Sequence, residues 1–303
     1  MPFEVKAAAI TVQPAGPSTK PSPNPATQPL AKAAGKALAA GDVKVLQALC
    51  ASVKVNSDKL NEGMIFATVT RSIHEDNGGV KDYVVRARAA LRDKMYRLDL
   101  GDNDELNGRP RQRRIVSTPE ECRTYGVGET TAYSWPPDYA RDLSGNQPFL
   151  PFNCPAFWHV CLKKAADSKA VESLKVRRLR AEDGNAIRVE VVLKSEPKNL
   201  YLYTIDPNRG AAIVGYQSLH DFGSGYVLLK DTKCDMQRTN NGAWYLKRMT
   251  ERRHGMDGKI TMETKCTIQS CSFGEPVADS EFEWSGMGVP EDATIVDQKR
   301  PGR

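Results

Sequence analysis

Residues 187–217 have the sequence IRVEVVLKSEPKNLYLYTIDPNRGAAIVGYQ, and this stretch determines the fold class that we predict. From Ile187 to Leu193 apolar residues alternate with charged ones, which is the two-residue period of a strand with one buried face. A second strand is predicted over Leu200 to Ile205. Asp206 to Gly210 then contains turn residues, because Pro fixes φ and Gly tolerates positive φ. Three neighbouring antiparallel strands are therefore predicted, the last over Ala211 to Gln217.

The same alternation recurs on both sides of this stretch. Strands are predicted, in chain order, over Met64 to His74, Asp82 to Ala90, Lys94 to Leu100, Tyr226 to Met236, Ala243 to Arg252 and Lys259 to Ser272, with an edge strand at Ile295 and Val296. Asn or Asp next to Gly separates several of these segments, as is typical of hairpin turns. Since no helical crossover is predicted between residues 187 and 272, the strands there are expected to be antiparallel.

Helices are predicted in two parts of the chain. Leu30 to Ala51 is rich in Ala and other strong helix formers, and Asp42 is predicted to be an N-cap that restarts the helix, so the segment is either one broken helix or two short ones. Ala156 to Ala166 predicts a short helix, and Lys169 to Leu174 predicts a weaker helical run. Residues 13–29 contain six prolines, a composition that cannot bury enough apolar surface to fold. We therefore predict a disordered tail over residues 1–29 and a single folded domain over residues 30–303.

Composition and charge exclude several classes of protein. Hydrophobic residues make up 40% and charged residues 26% of the chain, as in an ordinary globular protein. No apolar run approaches the roughly 18 residues that span a bilayer. The net charge of +6 permits acidic partners, but no nucleic-acid motif accompanies the basic cluster of Arg109, Arg111, Arg113 and Arg114, so we expect a solvated loop entering a strand and no nucleic-acid partner. Residues 1–11 are too weakly flanked for a secretory signal.

The local motifs of common catalytic and metal sites are missing. We find no glycine-rich phosphate loop, no HExxH helix, no CxxC pair and no GxSxG elbow. The acidic stretch from Asp102 to Gly108 fails the ligand spacing of a calcium loop. Cys154, His159 and Cys161 are a conceivable zinc set without a fourth ligand at a recognisable spacing. We therefore predict no catalytic residue, no metal and no cofactor.

Seven cysteines are present, and an odd number leaves at least one thiol unpaired in a monomer. Cys154 and Cys161 are expected to be packed or disulfide-bonded. Cys266 and Cys271 lie five residues apart in a predicted strand, so they face opposite ways unless residues 269–270 turn the chain. A disulfide between these two cysteines is therefore not expected.

Aromatic residues and prolines crowd the segment from Tyr133 to Trp158 without any period. Such a composition predicts an irregular flap that packs on an apolar surface.

Two other stretches of the sequence indicate what that apolar surface is. Glu182-Asp183-Gly184 before the strand at Ile187, and Leu202 to Gly210 with its Ile-Asp-Pro run, resemble the central hairpins of the LolA/LolB-like lipoprotein-carrier superfamily, which includes RseB-type periplasmic regulators. Phe282 to Asp297 resembles the closing segment of bacterial envelope proteins of this type.

The resemblance implies an incomplete β-barrel, closed by helices, whose cavity holds lipoprotein acyl chains or a partner segment. The expected fold class is thus α+β: a curved, mainly antiparallel sheet forming an open half-barrel, covered by a few helices and by the aromatic flap. We expect a monomeric, non-enzymatic, periplasmic or otherwise extracytoplasmic protein that binds a lipid acyl chain or an apolar partner segment. The candidate cavity residues are Phe149, Phe152, Phe157, Trp158, Tyr201 and Tyr203.

Two other functions stay open at this point. One is a protein-binding sensor or regulator of the envelope-stress type, which would bind no lipid. The other is an uncharacterised hydrolase whose catalytic groups converge from distant positions. Ordinary core packing is the alternative role for each of the six aromatic candidates, because aromatic side chains dominate protein cores.

Overall fold

The computed structural model describes residues 39–93, 95–102, 112–136, 162–167, 169–179 and 185–298, all within the unit of the chain that extends from Lys32 to Arg303. Helix α1 (Ala40–Asp58) comes first, and residues 162–166 form a short helix, α2. The described strands are β1 (Glu62–His74), β2 (Val80–Arg92), β3 (Met95–Asp102), β4 (Gln112–Ser117), β5 (Cys122–Gly126), β6 (Thr131–Trp135), β7 (Val171–Arg178), β8 (Ile187–Leu193), β9 (Glu196–Asp206), β10 (Ala212–Asp221), β11 (Tyr226–Arg238), β12 (Trp244–His254), β13 (Ile260–Phe273) and β14 (Thr294–Asp297).

All of these strands belong to one curved, unclosed sheet with the order β14-β6-β5-β4-β3-β2-β1-β13-β12-β11-β10-β9-β8-β7. Strands β1 to β6 form one meander and β7 to β13 a second, and β1 pairs with β13 where the two meanders meet. Every pairing is antiparallel except that of β14 with β6, which is parallel. The predicted α+β half-barrel with a mainly antiparallel sheet is confirmed. The predicted flap falls mostly outside the described residues.

The sheet has two faces with different partners. We call the face that packs on α1 the inner face and the opposite one the outer face. Ile65 and Val69 of β1 point to the inner face, where they join Leu46 and Val53 of α1 in the main core. Leu162 of α2 is also part of this core. Each fully buried side chain of this kind contributes about 1.5–3 kcal/mol relative to an exposed one. The inner face carries most of the buried apolar side chains and therefore contributes most of the free energy of burial.

Helix α1 is fixed to the sheet by polar contacts at both ends. Near its start, Asp42 accepts a hydrogen bond from the backbone N–H of Val176 in β7 (3.2 Å). Near its end, the buried Asn56 side chain bonds both backbone groups of Trp244, each at 2.7 Å. Gly210 lies against this asparagine with φ of +64°, and a Cβ there would be 2.9 Å from Asn56 Cγ. The predicted role of Asp42 as an N-cap is wrong, since Ala39 occupies that position and the helix continues to Asp58.

The outer face of β2 to β6 is covered by residues 275–293, which we call the strap. Its Val277, Phe282 and Met287 bury a second, smaller core against side chains of the sheet. Arginines of the outer face hold the strap: Arg88 and Arg97 bind the Glu281 carboxylate, Arg92 binds the Val277 carbonyl, Arg114 the Met287 carbonyl and Arg123 the Phe282 carbonyl. The predicted solvated loop is therefore wrong for Arg114, and Arg109 and Arg111 lie outside the described residues. Strand β14 follows the strap and confirms the predicted edge strand.

Two stretches differ from the sequence prediction. The weak helical run over Lys169 to Leu174 is wrong, because Val171–Arg178 is the edge strand β7. A register shift between Val171 and Ser173 brings Val171 and Leu174 to the same face, which imitates a helical spacing. Strands β5 and β6 were not predicted, and β4 was expected only as the strand that follows the basic cluster, without bounds. Residues 162–166 do confirm the end of the predicted helix at Ala156 to Ala166.

Candidate functional site

The register of the second meander arranges the inner face in rows that run across the strands. One of these rows is apolar. In its first part Ile187, Ile205 and Ile213 pair across β8, β9 and β10. On the strands beyond, the row continues through Cys234, Met249, Cys266, Val69 and Val85. These side chains form a continuous apolar strip in the main core.

One step along the strands, the row is mixed. Its members, in order from β8 to β2, are Val189, Tyr203, Tyr216, Thr232, Glu251, Thr264, Arg71 and Tyr83. The next row contains Val191, Tyr201, Ser218, Lys230, Arg253, Met262, Ile73 and Lys81. On β11 and β12 the inner face thus changes from apolar to polar over two rows, and the aromatic rings of β9 and β10 lie beside the change.

Three tyrosines form the aromatic part of this boundary. The rings of Tyr201 and Tyr216 stack with their centroids 6.3 Å apart, and those of Tyr203 and Tyr216 are 5.3 Å apart. Tyr203 is buried, with 9% of its surface exposed, whereas Tyr201 and Tyr216 are half-buried. The three rings therefore form one aromatic cluster, with Tyr203 tilted by 42° against Tyr216, that has apolar ring faces and polar hydroxyl ends.

A hydrogen-bond network holds Tyr201 in place. Its hydroxyl bonds the Glu196 carboxylate, and the Asn199 amide donates to the same carboxylate at 3.0 Å. His220 Nδ1 lies 2.6 Å from Asn199 Oδ1. Burial, and then the neighbouring Glu196, raise the pKa of Tyr201 to about 12, so its hydroxyl stays protonated at neutral pH. The ring is thus oriented by its polar end.

Charged groups adjoin the tyrosines on the next two strands. Lys230 Nζ lies 2.7 Å from a Glu251 oxygen and 5.8 Å from the centroid of Tyr216. Arg253 Nε is 3.3 Å from the other Glu251 oxygen. Two cations therefore share one carboxylate beside the aromatic rings.

Comparisons with known proteins concern the fold. The family models and the curated proteins gave no match to this chain. Among solved structures, a DUF1329 family protein from Desulfovibrio piger matches with a TM-score of 0.50 and 13% identity, over 81% of this chain and 98% of that one. A putative outer membrane lipoprotein-sorting protein domain from Vibrio parahaemolyticus has a TM-score of 0.47 and 8% identity, over 81% and 99%. A LolA superfamily protein from Nitrosomonas europaea has a TM-score of 0.43 and 10% identity, over 78% and 98%.

The chain shares its fold with the DUF1329 family protein. The single curved sheet, left open between β14 and β7, and the helix on its inner face are the features that define it here. At such low identities the likeness concerns architecture, and the site has to be argued from the residues of this chain.

The curved sheet brings two of the six predicted cavity residues together. Tyr201 and Tyr203 lie on the inner face in adjacent rows, as their alternation in the sequence predicts. Phe149, Phe152, Phe157 and Trp158 lie outside the described residues. Tyr216 was missed, although it lies in a predicted strand, because only the pairing of β9 with β10 places it against Tyr203.

Cysteines and acidic groups do not converge in the part of the chain that the structure describes. No cluster of three or more His, Cys, Asp or Glu residues that could hold a metal ion occurs there. Cys122, Cys234, Cys266 and Cys271 are free thiols. Cys266 and Cys271 both face the main core, because a bulge opposite Phe66 and Ala67 turns the strand between them. Burial raises the pKa of Cys122, Cys234 and Cys266 to about 12, which makes these thiols poor nucleophiles.

Neither of the two helices in the described ranges is long and apolar enough to cross a membrane.

Proposed function

We propose that this protein is a non-enzymatic envelope protein that binds a lipid acyl chain or an apolar partner segment on the inner face of its half-barrel. The observation that carries the proposal is the tyrosine cluster of Tyr201, Tyr203 and Tyr216 beside the apolar row. Two of its three rings are half-buried on the face that carries the core. Exposed aromatic area next to an apolar strip is typical of binding sites for apolar ligands.

The resemblance of residues 202–210 and 282–297 to the lipoprotein-carrier superfamily supports the same function. A carrier needs apolar contact surface, which the rings of the tyrosine cluster supply. We propose further that the protein acts outside the cytoplasm as a monomer, with residues 1–29 as a flexible tail. The four aromatic residues Phe149, Phe152, Phe157 and Trp158 are proposed to complete the site.

Binding of the fluorescent polyene fatty acid cis-parinaric acid tests the proposal. We expect the purified protein to enhance its fluorescence, and Tyr216→Ala to weaken binding about tenfold, because the ring contacts both other tyrosines. Phe66→Ala is the matched control, since this aromatic side chain is 44% exposed on the outer face. Equal binding by the Tyr216 and Phe66 variants would contradict a binding site on the inner face.

Native mass spectrometry provides a second, independent test. Protein purified under gentle conditions is expected to carry co-purified acyl species, which dissociate at higher collision energy. A single ligand-free mass, together with no response to parinaric acid, would favour a protein-binding sensor over a lipid carrier.

A further inference from the structure

We infer that the ligand of the inner face is an amphiphile with an anionic head, and that Lys230, Arg253 and Thr232 bind that head while the half-buried rings of Tyr201 and Tyr216 contact the tail. This inference rests on the proposed function. Its starting point is the change along β11 and β12 from the apolar row to a basic row two steps away. A fully apolar ligand would leave the basic end without an anionic partner.

The first argument is the balance of charge. Lys230 and Arg253 both contact Glu251, so the three groups together carry a net charge of +1. The remaining carboxylate at this end of β9, Glu196, accepts hydrogen bonds from Tyr201 and Asn199, which lower its pKa, and the nearby Lys164 supplies a positive charge that balances it. The basic end of the inner face is therefore positive on balance.

The second argument is the depth at which the charges lie. The side chain of Glu251 is 16% exposed, whereas those of Lys230 and Arg253 are 33% and 55% exposed. The carboxylate thus lies beneath the two cations, and a ligand that approaches the inner face meets the cations first. An ammonium group has three N–H donors and a guanidinium has five, so contact with one carboxylate leaves donors for a second anion.

The third argument is an orphan hydroxyl between the rings and the charges. Thr232 pairs with Tyr216 on one side and with Glu251 on the other. The residue is 9% exposed, and its Oγ1 has no hydrogen-bond partner within the described part of the chain. A buried hydroxyl without a partner is destabilising, and a bound carboxylate or phosphate oxygen would satisfy it.

The dimensions of the site suit a chain joined to a head. Lys230 and Cys234 are four residues apart on β11 and point to the same face, which separates them by about 13 Å along the strand. Tyr216 lies between the two levels, where its ring contacts the first part of the tail and Lys230 lies over its face. Along β11 the site is therefore apolar near Cys234, aromatic next to Tyr216 and basic at Lys230. This order matches a ligand with a tail at one end and an anionic head at the other.

The test compares cis-parinaric acid with its methyl ester, which has the same chain and no charge. At pH 8 we expect the acid to bind about tenfold more tightly than the ester, through charge-assisted hydrogen bonds. Lys230→Gln is expected to bring the two affinities close together, and Thr232→Val to reduce the preference for the acid. Lys265→Gln is the matched control, because Lys265 forms the equivalent exposed ion pair with Glu263 on the outer face.

The outcomes separate this inference from the proposed function. Equal binding of acid and ester by the wild-type protein overturns the anionic head but keeps the apolar site. Binding of neither compound overturns the proposed function as well. A preference for the acid that Lys230→Gln leaves unchanged also overturns the inference, provided that the variant unfolds at the wild-type temperature. Displacement of parinaric acid by oleate and by oleoyl lysophosphatidate then distinguishes a carboxylate head from a phosphate head.

Discussion

Replacement of Glu281 by Ala should loosen the strap from the outer face. The Glu281 carboxylate accepts hydrogen bonds from Arg88 at 2.5 and 3.0 Å and from Arg97 at 2.8 Å. The Arg97 side chain is only 6% exposed, so its ion pairs must compensate for the contacts with water that burial removes. Without Glu281 it keeps the Asp99 contact at 2.8 Å and a carbonyl of the strap.

The expected magnitude follows from this geometry. Breaking a fully buried ion pair costs about 3–5 kcal/mol, and the Glu281 variant should cost less because Asp99 stays in place and the carboxylate is partly exposed. We expect the free energy of unfolding to fall by about 2–3 kcal/mol, or Tm to fall by about 6 °C. Urea denaturation followed by tryptophan fluorescence measures this change directly.

A control lies two residues away in the same strap. Glu283 is exposed, so Glu283→Ala should change the free energy of unfolding by less than about 0.5 kcal/mol. Equal unfolding midpoints for the two variants would refute the reasoning.

The pH dependence of stability provides a second check on Glu281. The Arg88 hydrogen bond holds the pKa of Glu281 below its usual value, so the stabilisation by this carboxylate is present at neutral pH and is lost as the pH falls through the lowered pKa. Glu281→Gln should reduce the loss of stability in acid.

Two further predictions concern the inner face. Asn56→Ala should lower the free energy of unfolding by about 2 kcal/mol, because it leaves both backbone groups of Trp244 without their partner, whereas Lys54→Ala, which removes an exposed ion pair, should have little effect in the same urea titration. Cys122 and Cys266 should resist iodoacetamide in the native protein and react in urea, since burial raises the pKa of both thiols; peptide mass mapping checks this, and rapid native labelling of Cys266 would contradict the packing of β13.

The sequence predicts most of the second meander because its strands are long and alternate regularly. Ile187 to Leu193 and Leu200 to Ile205 are found close to the expected bounds. It fails for β5 and β6 and gives no bounds for β4, since these strands are only five or six residues long and gain their stability from pairing and from the strap. Asp42 has the sequence signature of a cap, but its carboxylate binds an N–H of β7 that is distant in the sequence.

The candidate site is predictable only in part for a similar reason. Alternation alone places Tyr201 and Tyr203 on one face, since they are two residues apart. Neither Tyr216 nor the grouping of Lys230, Thr232 and Glu251 can be read in this way, because these residues are brought together by the register of four strands. A slip of one residue in any of those pairings would turn the row to the other face.

Photoaffinity labelling with a diazirine fatty acid tests the central claim most directly, because it identifies the residues that a bound chain contacts. We predict that the label is found on inner-face residues of β9, β10 and β11, around Tyr201 and Tyr216, and that unlabelled oleate competes for it. Labelling confined to the strap or to other outer-face residues, or labelling that oleate does not reduce, would contradict a lipid-binding inner face.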